Sequence, residues 1–243
     1  MVKTDNTGTF LTAFGIRPKD VVSIIGAGGK TSLMFHLARE AKNQGLRVLV
    51  TTSTRIRVPE ESQYDSIDLS GKLFSDREIQ DAGVYVGGLP DEDPEKITGV
   101  RSDLLAYQCK KFDLVLIEAD GAAEKPLKGW KSTEPVIADF TSTTIGVVDI
   151  QTIGKEISED LVHRLEIFSQ ITGADEGENV QLGHLLRMIV HDDGLFGSAF
   201  GREILYINKV ESAMDIQYSK LLQSQMEGLK MIAGSVHEAT ICE

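Results

Sequence analysis

Residues 26–31 read Gly-Ala-Gly-Gly-Lys-Thr and follow directly on the apolar run Val21–Ile25. Glycine at 26, 28 and 29 lets the backbone curl tightly and turn its N–H groups inward onto an anion. Lys30 is placed to reach the outer phosphates of a polyphosphate, and the Thr31 hydroxyl to hold Mg²⁺. The helix-like stretch that starts here adds the positive end of its dipole. Gly26, Ala27, Gly28, Gly29, Lys30, Thr31 and Ser32 are therefore the candidate phosphate-binding residues, with Lys30 also a catalytic candidate.

A magnesium–nucleotide site also needs carboxylates at the end of a neighbouring strand. Leu114-Val115-Leu116-Ile117 followed by Glu118-Ala119-Asp120 has that form. One acid would bind Mg²⁺, directly or through water, and the other would orient an attacking water or a substrate hydroxyl. Which does which stays open, so both are metal and catalytic candidates. A solvated strand-end turn is the plainer alternative. Thr51–Thr54 offers hydroxyls to phosphates, to the metal or to its own strand edge, and Arg55 after it is an anion-binding candidate. Lys125 and Lys128 lie between Gly121 and Gly129, in a stretch free either to close on a transferring phosphoryl group or to stay solvated.

Positioning these groups calls for strands alternating with helices. Val21–Ile25, Leu46–Val50, Gly83–Val86, Leu114–Ile117, Thr144–Val148, Ile204–Ile207 and Met231–Ala233 read as strands. Thr31–Asn43, Ser102–Lys110, Ile157–Ile171, Leu182–Val190 and Ala213–Leu229 read as helices. The alternation predicts an α/β fold, a mostly parallel sheet with helices on both faces and ligands at the carboxyl ends of its strands. Gly87–Gly99, rich in Gly, Pro and acids, reads as a surface loop, and Ala174–Glu178 as an acidic turn. We expect one domain over residues 1–243 with a helical insertion at roughly 151–200.

Composition narrows the function classes. The net charge of −12 argues against a nucleic-acid binder and for small-molecule or protein partners. Cys109 and Cys242 are far apart, and the five histidines form no ligand-spaced cluster, so neither zinc nor a disulfide framework is indicated. No apolar run has the length of a membrane span, and Met1–Thr9 lacks a leader's apolar core, which places the chain in the cytoplasm as an expectation.

Several resemblances follow from these residues. With Ile24 where the full pattern has its first glycine, the loop is a short Gly-x-x-Gly-Lys-Thr form, similar to that of Mur-type ATP-dependent ligases and P-loop NTPase-like overall. Asn208-Lys209-Val210-Glu211 resembles the Asn-Lys-x-Asp base-recognition motif of GTPases, with an acid one methylene longer; an ordinary strand-end turn is the alternative. Further motifs occur in order: Thr51–Thr54, Glu118–Ala122, Pro126-Leu127-Lys128, Glu134-Pro135, Val162-His163-Arg164 and Asn208-Lys209. Together with the loop they resemble the YqeC family over most of the chain. That resemblance implies a role in maturing selenium-dependent molybdenum hydroxylases, with such a hydroxylase or its cofactor as partner. His163 and Arg164 then either pack or bind substrate anions.

The leading expectation is an accessory factor that binds Mg²⁺ with ATP or GTP and hydrolyses the nucleotide. A Mur-ligase-like or kinase-like enzyme phosphorylating a small substrate is the alternative, and a non-catalytic cofactor carrier the third.

Overall fold

In each central strand the side chains divide by parity between two apolar cores. The structure is a computed structural model that describes residues 9–242. Met1–Thr9, read above for its lack of a leader, lies outside them except for Thr9. In chain order the strands are β1 (Val21–Gly26), β2 (Arg47–Thr52), β3 (Arg55–Arg57), β4 (Ser66–Asp68), β5 (Gly83–Gly87), β6 (Leu89–Pro90), β7 (Lys96–Thr98), β8 (Leu114–Glu118), β9 (Leu127–Lys128), β10 (Thr143–Asp149), β11 (Val162–His163), β12 (Arg202–Asn208), β13 (Lys230–Ser235) and β14 (Thr240–Cys242). Val22 and Ile24, Val48 and Val50, and Leu114 and Leu116 point into one core, whereas Ile25, Leu49, Val115 and Ile117 point into the other. Strands buried on both faces read as the continuous apolar runs seen in the sequence.

Helices α1 (Phe10–Phe14) and α2 (Lys30–Asn43) cover the first face. Helices α3 (Ser102–Gln108), α4 (Leu165–Thr172), α5 (Leu182–Val190) and α6 (Ala213–Ser224) cover the second. The nine-stranded sheet runs β14-β13-β12-β10-β1-β8-β2-β5-β4. Every pairing in it is parallel except β13 with β14. The fold is thus α/β, a mostly parallel sheet flanked by helices on both faces. The loop after β1 emerges at the middle of the sheet, between the ends of β8 and β10.

Three expectations need correction. The helix expected from Ile157 starts only at Leu165, because Val162 and His163 pair with Leu127 and Lys128 and Arg164 adopts a left-handed φ of 61°. Ile157, Leu161 and Val162 are buried or half-buried apolar residues at helix-like spacing, but Val162 joins β11, Leu161 closes a turn on Ser158 and Ile157 N–H donates to the Glu178 carbonyl. The final long helix stops at Ser224 rather than Leu229. The Gly87–Gly99 loop contains β6 and β7, which join β3 in an antiparallel three-stranded sheet. No described helix is long and apolar enough to cross a membrane.

Candidate functional site

The turn from β1 into α2 is built from glycine conformations. Gly26, Gly28 and Gly29 have φ of 94°, 80° and 126°, a region that other residues enter only under strain. A Cβ on Gly26 would lie 2.3 Å from the Val147 carbonyl oxygen, and one on Gly28 would lie 2.4 Å from Cβ of Asp149. Gly26 N–H donates to Asp120 Oδ2 (3.0 Å), and Ala27 N–H donates to the Val147 carbonyl (3.1 Å). Helix α2 has no capping side chain at Gly29 and no acid in its first turn, so its positive end is left to an external anion. Gly28→Ala is expected to cost about 1–3 kcal/mol of stability and to weaken anion binding, since Asp149 must shift. Urea unfolding and phosphate or nucleotide titration check this, and an unchanged affinity would contradict it.

Lys30 and Thr31 converge on one acid. Thr31 Oγ1 donates to Glu118 Oε2 at 2.6 Å, and Lys30 Nζ lies 3.6 Å from Glu118 Oε1. Lys30 is 6% exposed and Glu118 5%, so this pair is largely out of water. Burial pushes the Glu118 carboxyl up, against the opposing pull of Lys30 and Thr31. These residues line a cavity of about 800 Å³ together with Gly28, Gly29 and Ser32. The oxygens of Thr31 and Glu118 are hard donors of the kind Mg²⁺ takes, and a magnesium ion on phosphates needs only one or two protein ligands besides water. Among the described residues no group of three or more His, Cys, Asp or Glu is placed to hold a metal ion by itself.

Asp120 is placed differently from Glu118. It is fully buried and faces away from the cavity. Its Oδ2 accepts from Gly26 N–H and from Trp130 Nε1 (2.8 Å), and its Oδ1 from Lys128 Nζ. Asp120 carries three hydrogen bonds and does not line the cavity, so here it secures the start of the loop. Lys128 likewise does not reach the phosphate side. It is fully buried and donates to Asp120, to the Gly121 carbonyl (2.6 Å) and to Glu134 (3.2 Å). Arg164 makes a bidentate pair with Glu134, one contact at 2.7 Å. Burial alone would raise the Glu134 carboxyl, but Arg164 and Lys128 outweigh it and hold it below the usual value. The motifs at 118–122, 126–128, 134–135 and 162–164 thus form one ion network under the loop, and His163 and Arg164 pack within it.

His163 is held down to about 4, by burial first and then by the Arg164 and Lys128 charges. Below its ordinary value of 6.5 the unfolded chain takes up a proton that the folded chain refuses. Its stabilising contribution is therefore full above 6.5 and lost as pH falls toward about 4. His163→Gln is expected to flatten that arm of the stability curve, as thermal melts across the same window will show.

At the other side of the loop, Asn208 Nδ2 donates to the Gly28 carbonyl (2.9 Å) and Lys209 pairs with Asp149 (2.5 Å). Lys209 and Asp149 line the cavity. Glu211 does not; its carboxylate accepts from Ser235 Oγ (2.7 Å) and Gln151 Nε2 (3.1 Å), away from where a base-reading acid was expected. The Thr51–Thr54 hydroxyls mostly donate to carbonyls of neighbouring segments, Thr51 to Gly87, Thr52 to Glu118 and Ser53 to Val136. Asp149 was missed in the sequence. It is a single acid at the end of β10 with no motif around it, and only its register beside β1 brings it to the loop.

A central parallel strand leads through a glycine loop into a helix, and the loop's lysine and threonine meet an acid on the adjacent strand. That arrangement defines a P-loop NTPase-like protein. The sequence profile of the YqeC protein family matches residues 22–166. The chain is also 30% identical over 208 residues to the YqeC protein of Escherichia coli (strain K12), covering 84% of this chain and 81% of that one. It belongs to the YqeC family. Among solved structures it is similar to the MinC:MinD cell division protein complex of Aquifex aeolicus, with TM-score 0.39 and 12% identity over 87% of this chain and 79% of that chain.

Proposed function

We propose that this protein binds a magnesium–nucleoside triphosphate, ATP or GTP, and hydrolyses it as an accessory factor in the maturation of selenium-dependent molybdenum hydroxylases. The observation that carries the nucleotide part is the meeting of Lys30 and Thr31 on Glu118 beneath an open cavity. The maturation part rests on the family resemblance. In this reading the loop amides and the first turn of α2 hold the phosphates, and Lys30 offsets charge on the outermost one. Thr31 and Glu118 would hold Mg²⁺, which when bound would neutralise charge on the outer phosphates. Protonation of Glu118 opposes metal binding, so affinity falls on acidification, starting above the normal carboxylate range because burial raises the group.

A second reading is phosphoryl transfer to a small acceptor, for which a cavity of about 800 Å³ leaves room beside the phosphates; Asp120, turned away from that cavity, is not the group that would orient either a water or an acceptor hydroxyl. Calorimetric titration of the full chain with Mg-ATP and Mg-GTP tests binding, and their competition reports the base preference. Incubation with γ-labelled nucleotide then separates the outcomes. Label in free phosphate supports hydrolysis, binding without turnover points to the carrier role, and absence of binding to either nucleotide overturns the proposal.

A further inference from the structure

A second cavity, of about 630 Å³, shares no lining residue with the one at the phosphate loop. Its size is that of a small-molecule site. Residues 130–134, after β9, form one wall; α4 contributes Ile167 and Ile171; the turn after α5, residues 191–194, forms another. The Glu134 carboxylate in the first wall is already neutralised by Arg164 and Lys128. Lys131 in the same wall, and Asp192 and Asp193 in the other, are exposed and form no ion pair among the described residues. One unmatched cation thus stands in one wall and two unmatched carboxylates in another. Buried Ile171 and half-buried Ile167 add apolar surface beside them. His191 Nδ1 accepts from Asp193 N–H (3.0 Å), which leaves Nε2 as the ring nitrogen open to a ligand.

This cavity reaches Gly26, the first residue of the phosphate loop, by two routes. Trp130, which lines it, donates its indole N–H to Asp120 Oδ2 (2.8 Å), and the same oxygen accepts from Gly26 N–H (3.0 Å). Leu195, the residue after Gly194 in the second wall, is fully buried against Gly26, where a Cβ would lie 3.1 Å from Leu195 Cδ1. Leu195 N–H donates to the Met188 carbonyl (2.9 Å), which fastens the turn to α5. Both walls therefore carry a residue that fixes Gly26. A ligand that ties the walls together favours the arrangement in which Gly26 is held, and with it the loop that grips phosphate.

We propose that this cavity binds a small zwitterion of the basic amino-acid class, and that its occupancy strengthens the phosphate loop's hold on nucleotide. Lys131 takes the carboxylate, Asp192 and Asp193 take the two cationic groups, and the carbon stem lies on Ile167 and Ile171. The site stands by itself; only its effect on nucleotide affinity rests on the nucleotide reading.

The test titrates L-arginine and L-lysine, with L-glutamate as control, into the full chain by calorimetry. A basic amino acid is expected to bind, and L-glutamate at least about tenfold more weakly. Asp192→Asn/Asp193→Asn should weaken that binding at least about tenfold while changing the affinity for magnesium and the imido analogue of ATP or GTP less than about threefold. An unchanged melting temperature of this double variant shows that its loss is not unfolding. In the parent, the saturating basic amino acid should tighten analogue binding at least about fivefold. Failure of both basic amino acids to bind, equally tight binding of L-glutamate, or equal binding by parent and double variant overturns the site. Binding that leaves analogue affinity unchanged overturns the coupling. If the parent binds neither analogue, yet binding of the basic amino acid still depends on Asp192 and Asp193, the nucleotide reading falls and the second site stands.

Discussion

Lys30→Ala is expected to weaken magnesium–nucleotide binding by about 2–4 kcal/mol, roughly 30- to 700-fold. Two losses combine. The ammonium that faces the outer phosphates is gone, and Glu118 loses the neighbouring charge that counters the effect of burial on it. Glu118 then rises further, and a carboxyl that keeps its proton is a poor partner for Mg²⁺. The fold should survive, because a buried carboxyl without its counter-charge takes up a proton rather than remaining charged. Calorimetry on the variant and its melting curve without nucleotide measure the two effects separately. An affinity within about threefold of the parent would remove Lys30 from the site.

The largest loss of stability is expected at Lys128, not in the loop. Lys128→Met keeps most of the side-chain volume but leaves Asp120 and Glu134 without their shared cation, at a cost of about 3–5 kcal/mol. Lys128 and Asp120 are both fully buried, and burial already pushes the Lys128 ammonium down against the pull of Asp120 and Glu134. Replacing both partners, as Asp120→Asn/Lys128→Met, should recover part of that loss, because an amide is left where a stranded carboxylate would be. Urea unfolding of the two single variants and the double variant gives the coupling energy. A loss below about 1 kcal/mol in Lys128→Met would mean that the network is incidental to stability. Since Asp120 also holds Gly26 N–H, the single variants should bind nucleotide more weakly as well, with the loop itself unchanged in sequence.

What could be read in the sequence was what is locally encoded. The Gly26–Thr31 turn, the strand before it and the helix after it lie within a few residues of one another, and all three are in place. The parallel sheet was legible because its strands, buried on both faces, are short unbroken apolar runs. Glu118 lies at the loop because β8 neighbours β1, and the sequence could suggest that adjacency only from the pairing of motifs. The role of Asp120 was not legible. Two residues from Glu118 and of the same chemistry, it is assigned to the opposite side of the loop by Lys128 and Trp130. The network of Lys128, Glu134 and Arg164 appeared in the sequence only as separate motifs, since ion pairs between distant segments leave no periodic trace. The short strands β3, β6 and β7 hid in stretches of charged and turn-forming residues. Their polar face is exposed, and only Ile56 and Ile97 anchor them.

Strand β1 ends in the loop near the beginning of the chain, yet both of its sheet neighbours come from much later, β8 at Leu114–Glu118 and β10 at Thr143–Asp149. A chain growing from the ribosome therefore presents the glycine turn long before anything exists to flank it. Until the β10 segment has emerged, Val22, Ile24 and Ile25 have no complete sheet to join, and pairings so distant in sequence form slowly. Biosynthesis thus leaves a window in which a greasy, half-made centre is exposed to chaperones and to aggregation, and the pocket comes into being only at its close.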